Sequence, residues 1–406
     1  MADVPNRKPR LVCLTSHPIQ YQAPLFREIA ASPDLELVVL FCSDVSVRPY
    51  FDREFNRQID WDVSLLTGYD YRFLPALGSP AQISFFRPLN YGLASTLDEL
   101  KPDALWITGY ARWTYWVAAA LAKSRRIRVF VSGDASKISA RRGPIKRALK
   151  RVFFLGARQL CDAFLSIGSL NYEYYRSHGI PDKKLVRFPF AVDNDFFQNR
   201  SAQARSSREM LREELRIPPQ HPVILYASKL ISKKRPQDLL HAFSALSRDG
   251  VTPPAATLLL IGDGELRSEL ERKASLLKWS NIKFLGFRNQ TELPAYFDLC
   301  DLFVLPSELE PWGLVVNEAM NARCAILVSD KVGCAPDLVH PGRNGAVFRA
   351  TDVNDLRRTL EYLLEDRNKL REMGEESLRI IHPWNFVQDV AVLRALLRDD
   401  TRAMVT

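Results

Sequence analysis

The chain has 406 residues, 47% of them hydrophobic and 25% charged, which is too long for one ordinary domain and excludes a disordered or fibrous chain. Apolar content of this order can fill substantial cores, so neither disulfides nor a structural metal is required for stability. The formal net charge of +9 favours anionic partners (phosphates, nucleic acid or an acidic membrane surface) without choosing among them.

The polar opening Met1–Arg10 runs directly into an apolar segment, so no leader peptide is expected and a cytoplasmic setting follows. Strands are predicted at Arg10–Leu14, Leu35–Phe41, Ala104–Thr108, Val129–Ser132 and Ala163–Ile167, with a helix near Pro24–Ala31 joining the first two. Ala104–Ala122 is the longest apolar stretch, but Arg112 near its middle and Gly109-Tyr110 make it a strand followed by a helix rather than a membrane span. Arg141–Phe154 interleaves basic and apolar residues at near-helical spacing. Such a helix can lie on anionic lipid, but a solvated surface helix with one face packed inward is the favoured reading.

After a polar, strand-free stretch from Gln198 to about Met210, which reads as the connection between two domains, the pattern restarts. Strands are predicted at Val223–Ala227, Ala256–Ile261, Ile282–Leu285, Leu302–Leu305 and Ala325–Val328, with helices at Arg235–Ser247, Glu265–Leu277 and Val315–Asn321. A last helix follows Pro383-Trp384 and runs through Leu397. The alternation predicts an α/β protein with parallel sheets covered on both faces. Its domains are expected at residues 1–197 and 198–383, with 384–406 returning to brace the first. Cys13, Cys42, Cys161, Cys300, Cys324 and Cys334 sit in apolar stretches, with no Cys-x-x-Cys pair, and are expected to be buried free thiols in a reducing compartment.

The densest chemistry lies in Pro306–Met320, where a predicted strand ends and a helix begins, the place an α/β domain binds ligand. Glu310 falls in the turn and Glu318 in the helix, with seven residues between them. A carboxylate accepts hydrogen bonds from vicinal hydroxyls, so the pair suits two polyols, such as a sugar ring and a ribose. The helix start, around Gly313 and Leu314, presents unpaired N–H groups to a phosphate. After Val223–Ala227, Lys229 precedes a Lys233-Lys234-Arg235 stretch whose plain reading is a solvated loop.

These residues resemble the Glu-x7-Glu region of the family-four retaining glycosyltransferases. The resemblance extends to Ile261-Gly262-Asp263-Gly264-Glu265, Phe284-Leu285-Gly286-Phe287, Asp298-Leu299-Cys300-Asp301, Val328-Ser329-Asp330 and Gly342-Arg343-Asn344-Gly345, in the family's order, and covers about Cys161 to Trp384. It implies the GT-B fold, two Rossmann-like domains facing each other across a cleft, and transfer of a sugar from a uridine or guanosine diphosphate donor. Glu310 would hold the donor sugar and Glu318 the ribose, with Gly313, Leu314 and Trp312 beside sugar and phosphates. Phe287 and Arg288 would lie near the base, the Gly262–Gly264 loop would line the donor cleft, and Lys229 and Lys234 would meet the diphosphate and stabilise it as it leaves.

In the first domain the likeness is looser. Ser16–Tyr21 stands where many relatives carry a Gly-Gly loop; His17, Gln20 and Tyr21 are candidates for the acceptor, His17 also for the phosphate or for a purely structural hydrogen bond, and Asp134 for binding or deprotonating the acceptor hydroxyl, with a helix-capping role for Asp134 left open. Asp193-Asn194-Asp195 reads as structural, and neither a metal nor another cofactor is expected. The resemblance implies retention at the anomeric carbon, and with no convincing nucleophile in view, front-side attack by the acceptor hydroxyl is the preferred mechanism. The expected acceptor is a carbohydrate or a lipid-linked glycan in polysaccharide or glycoconjugate assembly, with peripheral contact to an anionic membrane left open. Nucleic acid is not expected, because the basic residues form no recognisable reading module. A nucleotide-sugar epimerase and a non-catalytic nucleotide-sugar-binding subunit are the alternatives.

Overall fold

The computed structural model describes residues 7–78, 83–136, 138, 144–247 and 249–398, and only the backbone of 144–147 and 149. The chain divides into two compact units, one of residues 1–50, 64–190 and 386–406, the other of 51–63 and 191–385.

The first unit is built on a seven-stranded sheet of β1 (Arg10–Thr15), β2 (Glu36–Phe41), β3 (Asp70–Phe73), β4 (Ala104–Thr108), β5 (Arg128–Ser132), β6 (Ala163–Ser166) and β7 (Leu185–Arg187). Their order in space is β7-β6-β5-β4-β1-β2-β3, and the pairs are parallel. Strands covered on both faces must be apolar throughout, which is why Leu11–Leu14 and Leu37–Phe41 are continuous runs of buried hydrophobic residues. Ala118, Ala119 and Ala122 of the helix Trp113–Ser124 are buried in the core with Leu105, Ile107 and Val131, and their small side chains let the helix backbone approach the sheet. Arg112, at the head of that helix, is buried and donates to the Arg87 carbonyl at 3.2 Å.

The final helix, Phe386–Leu397, belongs to this unit. Its last carbonyls, which have no intrahelical partner, are taken by the Arg128 guanidinium, at 2.7 Å to both Leu396 O and Leu397 O. Arg394 forms an ion pair with Asp34 at 2.8 Å and donates to Ser32 Oγ at 2.8 Å.

The second unit carries β8 (Val223–Ala227), β9 (Thr257–Ile261), β10 (Ile282–Gly286), β11 (Leu302–Leu305), β12 (Ala325–Ser329) and β13 (Gly345–Phe348), in the order β10-β9-β8-β11-β12-β13 and again parallel. Two expectations are corrected here. The division at residue 197 falls inside a helix, Asn194–Ala204, and the break lies between Phe190 and Ala191. The polarity of Gln198–Met210 marks solvated faces of short helices, not a linker. Residues 51–63, flanked in sequence by the first unit, pack with the second. Asp193 caps Asn194–Ala204, its carboxylate accepting from Phe196 N at 2.9 Å, and the Asn194 amide donates to Trp384 O at 3.1 Å, so Asp193-Asn194-Asp195 is a structural joint.

In both sheets the strand order reverses once, between β1 and β4 and between β8 and β11. Loops leaving the carboxyl ends of strands diverge at such a point and leave a crevice for ligand. The candidate residues of the sequence fall on these loops, on the neighbouring loops after β5, β9 and β10, and on the helix Leu314–Asn321.

Candidate active site

In the second unit, the loops after β8, β9 and β10 are laced together by their backbones. Ser228 N donates to Ile261 O at 3.1 Å, Leu230 N to Asp263 O at 2.8 Å and Gly262 N to Gly286 O at 2.9 Å. Gly262 has φ +134°, and a Cβ there would lie 2.0 Å from Ser228 O, so no other residue fits this crossing. The glycine turn is therefore a close backbone approach that sets the height of the lysine loop.

The loop after β11 is clamped against Lys331–Gly333, with Glu310 N donating to Lys331 O at 3.1 Å and Gly333 N to Glu310 O at 2.9 Å. Gly333 was not legible as a site residue; a Cβ there would be 1.8 Å from Pro311 O. Gly313, at φ +99°, turns the chain into the helix Leu314–Asn321, whose first N–H groups have no partner within the helix. Trp312 departs from expectation. Its indole is 3% exposed, donates to Asn317 Oδ1 at 3.0 Å and stacks 5.3 Å from Trp384, so it is structural and offers no ring to a ligand.

Lys234 and Glu310 form a direct ion pair, with side chains 14% and 12% exposed. The carboxylate assigned to the sugar and the ammonium assigned to the diphosphate thus meet at one point. Glu318 stands further along the helix, with Gln290 Nε2 at 3.5 Å. Desolvation pushes its carboxyl up to about 8, against the opposing hydrogen bond from Gln290, so it keeps its proton at neutral pH and can donate as well as accept. Arg288 is held by Glu292 at 3.1 Å and lies over the Tyr296 ring at 5.4 Å.

Lys229 is occupied. Its ammonium donates to Glu54 at 2.8 Å and to Asp52 at 3.2 Å, and lies 4.7 Å from the Phe55 ring centre. Lys233 pairs with the other oxygen of Glu54 at 2.7 Å. Burial disfavours the Glu54 charge, but the hydrogen bonds and charges of Lys229 and Lys233 outweigh it and hold the carboxyl down at about 2. Phe287 is flanked by Phe55 at 5.2 Å and Trp61 at 6.4 Å, with the Arg57 guanidinium 4.8 Å from its ring centre. Sequence reasoning missed this segment; its one signal is the alternation of acids and aromatics in Phe51-Asp52-Arg53-Glu54-Phe55.

In the first unit the switch-point loops are mostly neutral. His17 accepts or donates at 2.8 Å with Ser16 Oγ, and burial, aided by the Arg112 charge, lowers its imidazole to about 4. It is uncharged at neutral pH and cannot serve as a cation for phosphate. Tyr21 packs edge-on to Phe190 at 5.6 Å, and burial, aided by the Asp134 charge, raises its phenol to about 12. Gln20, beside Tyr21, is half-buried. Asp134 is exposed, and its charge is felt at Tyr21, Tyr110 and Tyr175, which gathers these groups about one loop. The buried amide of Asn171 pins that loop, donating to Gly133 O at 3.0 Å and Ala135 O at 2.5 Å while accepting from Ile167 N. Arg141, Arg142 and Gly143 of the basic segment lie outside the described residues.

Residues 207–379 match the family described as Glycosyl transferases group 1. The second unit is a group 1 glycosyl transferase domain. Relatives agree with this. The chain is 26% identical over 209 residues to the alpha-D-kanosaminyltransferase of Streptomyces kanamyceticus, covering 50% of this chain and 51% of that protein. It is 26% identical over 310 residues, 71% of this chain and 77% of the relative, to the GDP-mannose-dependent alpha-(1-6)-phosphatidylinositol monomannoside mannosyltransferase of Mycobacterium tuberculosis. The chain spans about half the length of the first curated relatives it matches. Its structure resembles that of HepE from Anabaena in complex with UDP and glucose, with a TM-score of 0.72 at 17% identity over 96% of this chain and 100% of that one. The fold is GT-B, as the motif resemblance implied.

Proposed function

We propose that the chain is a retaining glycosyltransferase that moves a sugar from a nucleoside diphosphate sugar to a hydroxyl of a carbohydrate acceptor in glycoconjugate synthesis. The observation that carries this reading is the Lys234–Glu310 ion pair at the switch point of the group 1 domain, next to the Gly313 helix start. The bond to be broken joins a polyol to a diphosphate. A carboxylate in contact with an ammonium offers an acceptor to the sugar hydroxyls and a positive charge to the departing phosphate, which is stabilised as its charge grows. Glu318, protonated at neutral pH, both donates to and accepts from the ribose. No cofactor enters this scheme: Lys229, Lys234 and the helix N–H groups carry the diphosphate charge. The acceptor hydroxyl attacks from the side the phosphate leaves and passes its proton to that phosphate, with Glu310 positioning the sugar.

Neither relative named above is an epimerase, and the group 1 domain supplies the features that transfer needs. Among the described residues no helix is long and apolar enough to cross a membrane. Peripheral contact with anionic lipid would use the helix Pro144–Leu160, which exposes Val152 and Leu155 beside Arg151; co-sedimentation with phosphatidylglycerol vesicles tests it. Donor identity is tested by thermal shift against UDP- and GDP-sugars, since a ligand that binds the native state raises its melting temperature. Stereochemistry follows from NMR of the anomeric proton in the product, and an inverted linkage would refute the proposed mechanism.

A further inference from the structure

We propose that residues 51–63 are a built-in occupant of the donor site, whose Asp52 and Glu54 carboxylates hold the place of the diphosphate, so that donor binds by exchange with them. This rests on the donor-site reading above. An ammonium has three protons to donate. That of Lys229 is met by Glu54 at 2.8 Å and by both oxygens of Asp52 at 3.2 and 3.4 Å, which leaves no donor for a phosphate oxygen. Glu54 spans Lys229 and Lys233, much as a phosphate would span two cations. The same segment places Phe55, Arg57 and Trp61 around Phe287, where the resemblance puts the base. Carboxylates and aromatic groups thus stand in one short segment at both ends of the expected nucleotide position.

The segment is shaped for this. Tyr50–Asp52 and Arg57–Ile59 pair as two short strands, and Asp52 Oδ1 accepts from Glu54 N at 2.8 Å and Phe55 N at 3.0 Å, closing the turn that presents both acids. Its far end is held separately, by Asn289 donating to Asp60 O at 2.6 Å and Thr291 N to Asp62 at 3.1 Å, so the Asp52–Phe55 turn can lift without loss of the whole segment. The Glu54 side chain is 47% exposed, and exposed ion pairs are weak. A diphosphate held by charge-assisted bonds and a helix start can displace them.

The test is calorimetric titration of the full chain and of the double variant Asp52→Asn, Glu54→Gln with UDP, GDP and inorganic pyrophosphate. Both replacements keep the side-chain size, and the amide introduced by Asp52→Asn retains an oxygen to close the turn. Affinity for at least one nucleotide and for pyrophosphate should tighten about fivefold or more in the double variant, as expected when a competing closed state is removed. Hydrogen exchange in 51–63 of the natural chain should rise on saturation with pyrophosphate. Unchanged or weaker affinity in the variant, or protection of 51–63 by ligand, overturns the proposal. Lys229→Ala, Lys234→Ala separates the two readings: if the natural chain binds a nucleotide, this variant loses it, and the acid variant gains nothing, the occupant fails and the donor site stands. If neither the natural chain nor the acid variant binds any nucleotide, the donor-site reading fails and the occupant falls with it.

Discussion

The two units share a strand order, with one reversal in each sheet, yet load the crevice at that reversal in opposite ways. At the end of β8 and β11 the group 1 domain gathers Lys229, Lys233, Lys234 and Glu310 in ion pairs, over a backbone crossing that only glycine permits. At the end of β1 and β4 the first unit places an uncharged His17, the phenols of Tyr21, Tyr110 and Tyr115, each pushed upward by burial, and one buried cation, Arg112, which donates to the Arg87 carbonyl. A scaffold fixes where ligand can sit, and the side chains on it decide which charge is welcome. One crevice suits a dianion, and the other suits a neutral polyol held by hydroxyl and amide groups.

The comparison breaks most sharply at Lys234. Lys234→Ala leaves Glu310 with a poorly hydrated, unpaired charge, which should cost on the order of 3 kcal/mol in urea unfolding. Transfer should fall by about a hundredfold or more, because the leaving phosphate loses its cation. An intact transfer rate would remove Lys234 from the site. Next in size is Gly262→Ala: a methyl 2.0 Å from Ser228 O cannot be housed, and the variant should lose about 3 kcal/mol in the same measurement together with nucleotide affinity.

Glu318→Gln sharpens the electrostatic side. An acid whose folded value of about 8 lies above its ordinary value keeps its proton in the fold, so its stabilising contribution is full below about pH 4.5 and is lost as pH rises towards 8. Glutamine has no proton to lose. The melting temperature of the variant relative to the natural chain should therefore climb from pH 5 to pH 8, while its nucleotide affinity at neutral pH should change little, because an amide, like the protonated carboxyl, both donates and accepts. A flat difference across that range would show Glu318 to be ionised in the fold.

In the first unit, Asn171→Ala should cost about 1–3 kcal/mol, because the Gly133 and Ala135 carbonyls and Ile167 N lose their partner. Donor affinity should stay unchanged and acceptor KM should rise. The smallest effect belongs to His17→Gln, which should leave the slope of activity between pH 6 and 8 untouched, since an imidazole near 4 does not titrate there. A loss of slope would show that His17 carries a proton in the working enzyme.

Local sequence carried much of this. Val223–Ala227 and Leu302–Leu305 are strands because short apolar runs bounded by turn residues have no other way to hide both faces, and Glu310, Glu318 and Gly313 announce themselves by spacing around a strand end and a helix start. Lys229 and Lys234 follow from their position after the first strand of the domain. Trp312 misled because an aromatic residue inside a motif invites a ligand-facing role, whereas the ring it packs against, Trp384, is far away in sequence. Gln198–Met210 misled because the polar face of a helix and a linker have the same composition.

What sequence alone determined is the chemistry on offer: two carboxyl groups, paired lysines, a glycine turn and a helix start, on the loops and the helix that follow apolar strands. Tertiary structure decided their state. Burial left Glu318 protonated and His17 neutral, contact joined Lys234 to Glu310, and packing brought Asp52 and Glu54 onto Lys229 from 177 and 175 positions away along the chain. Ionisation and ion pairing depend on dielectric surroundings and distances in space, and spacing along a chain fixes neither.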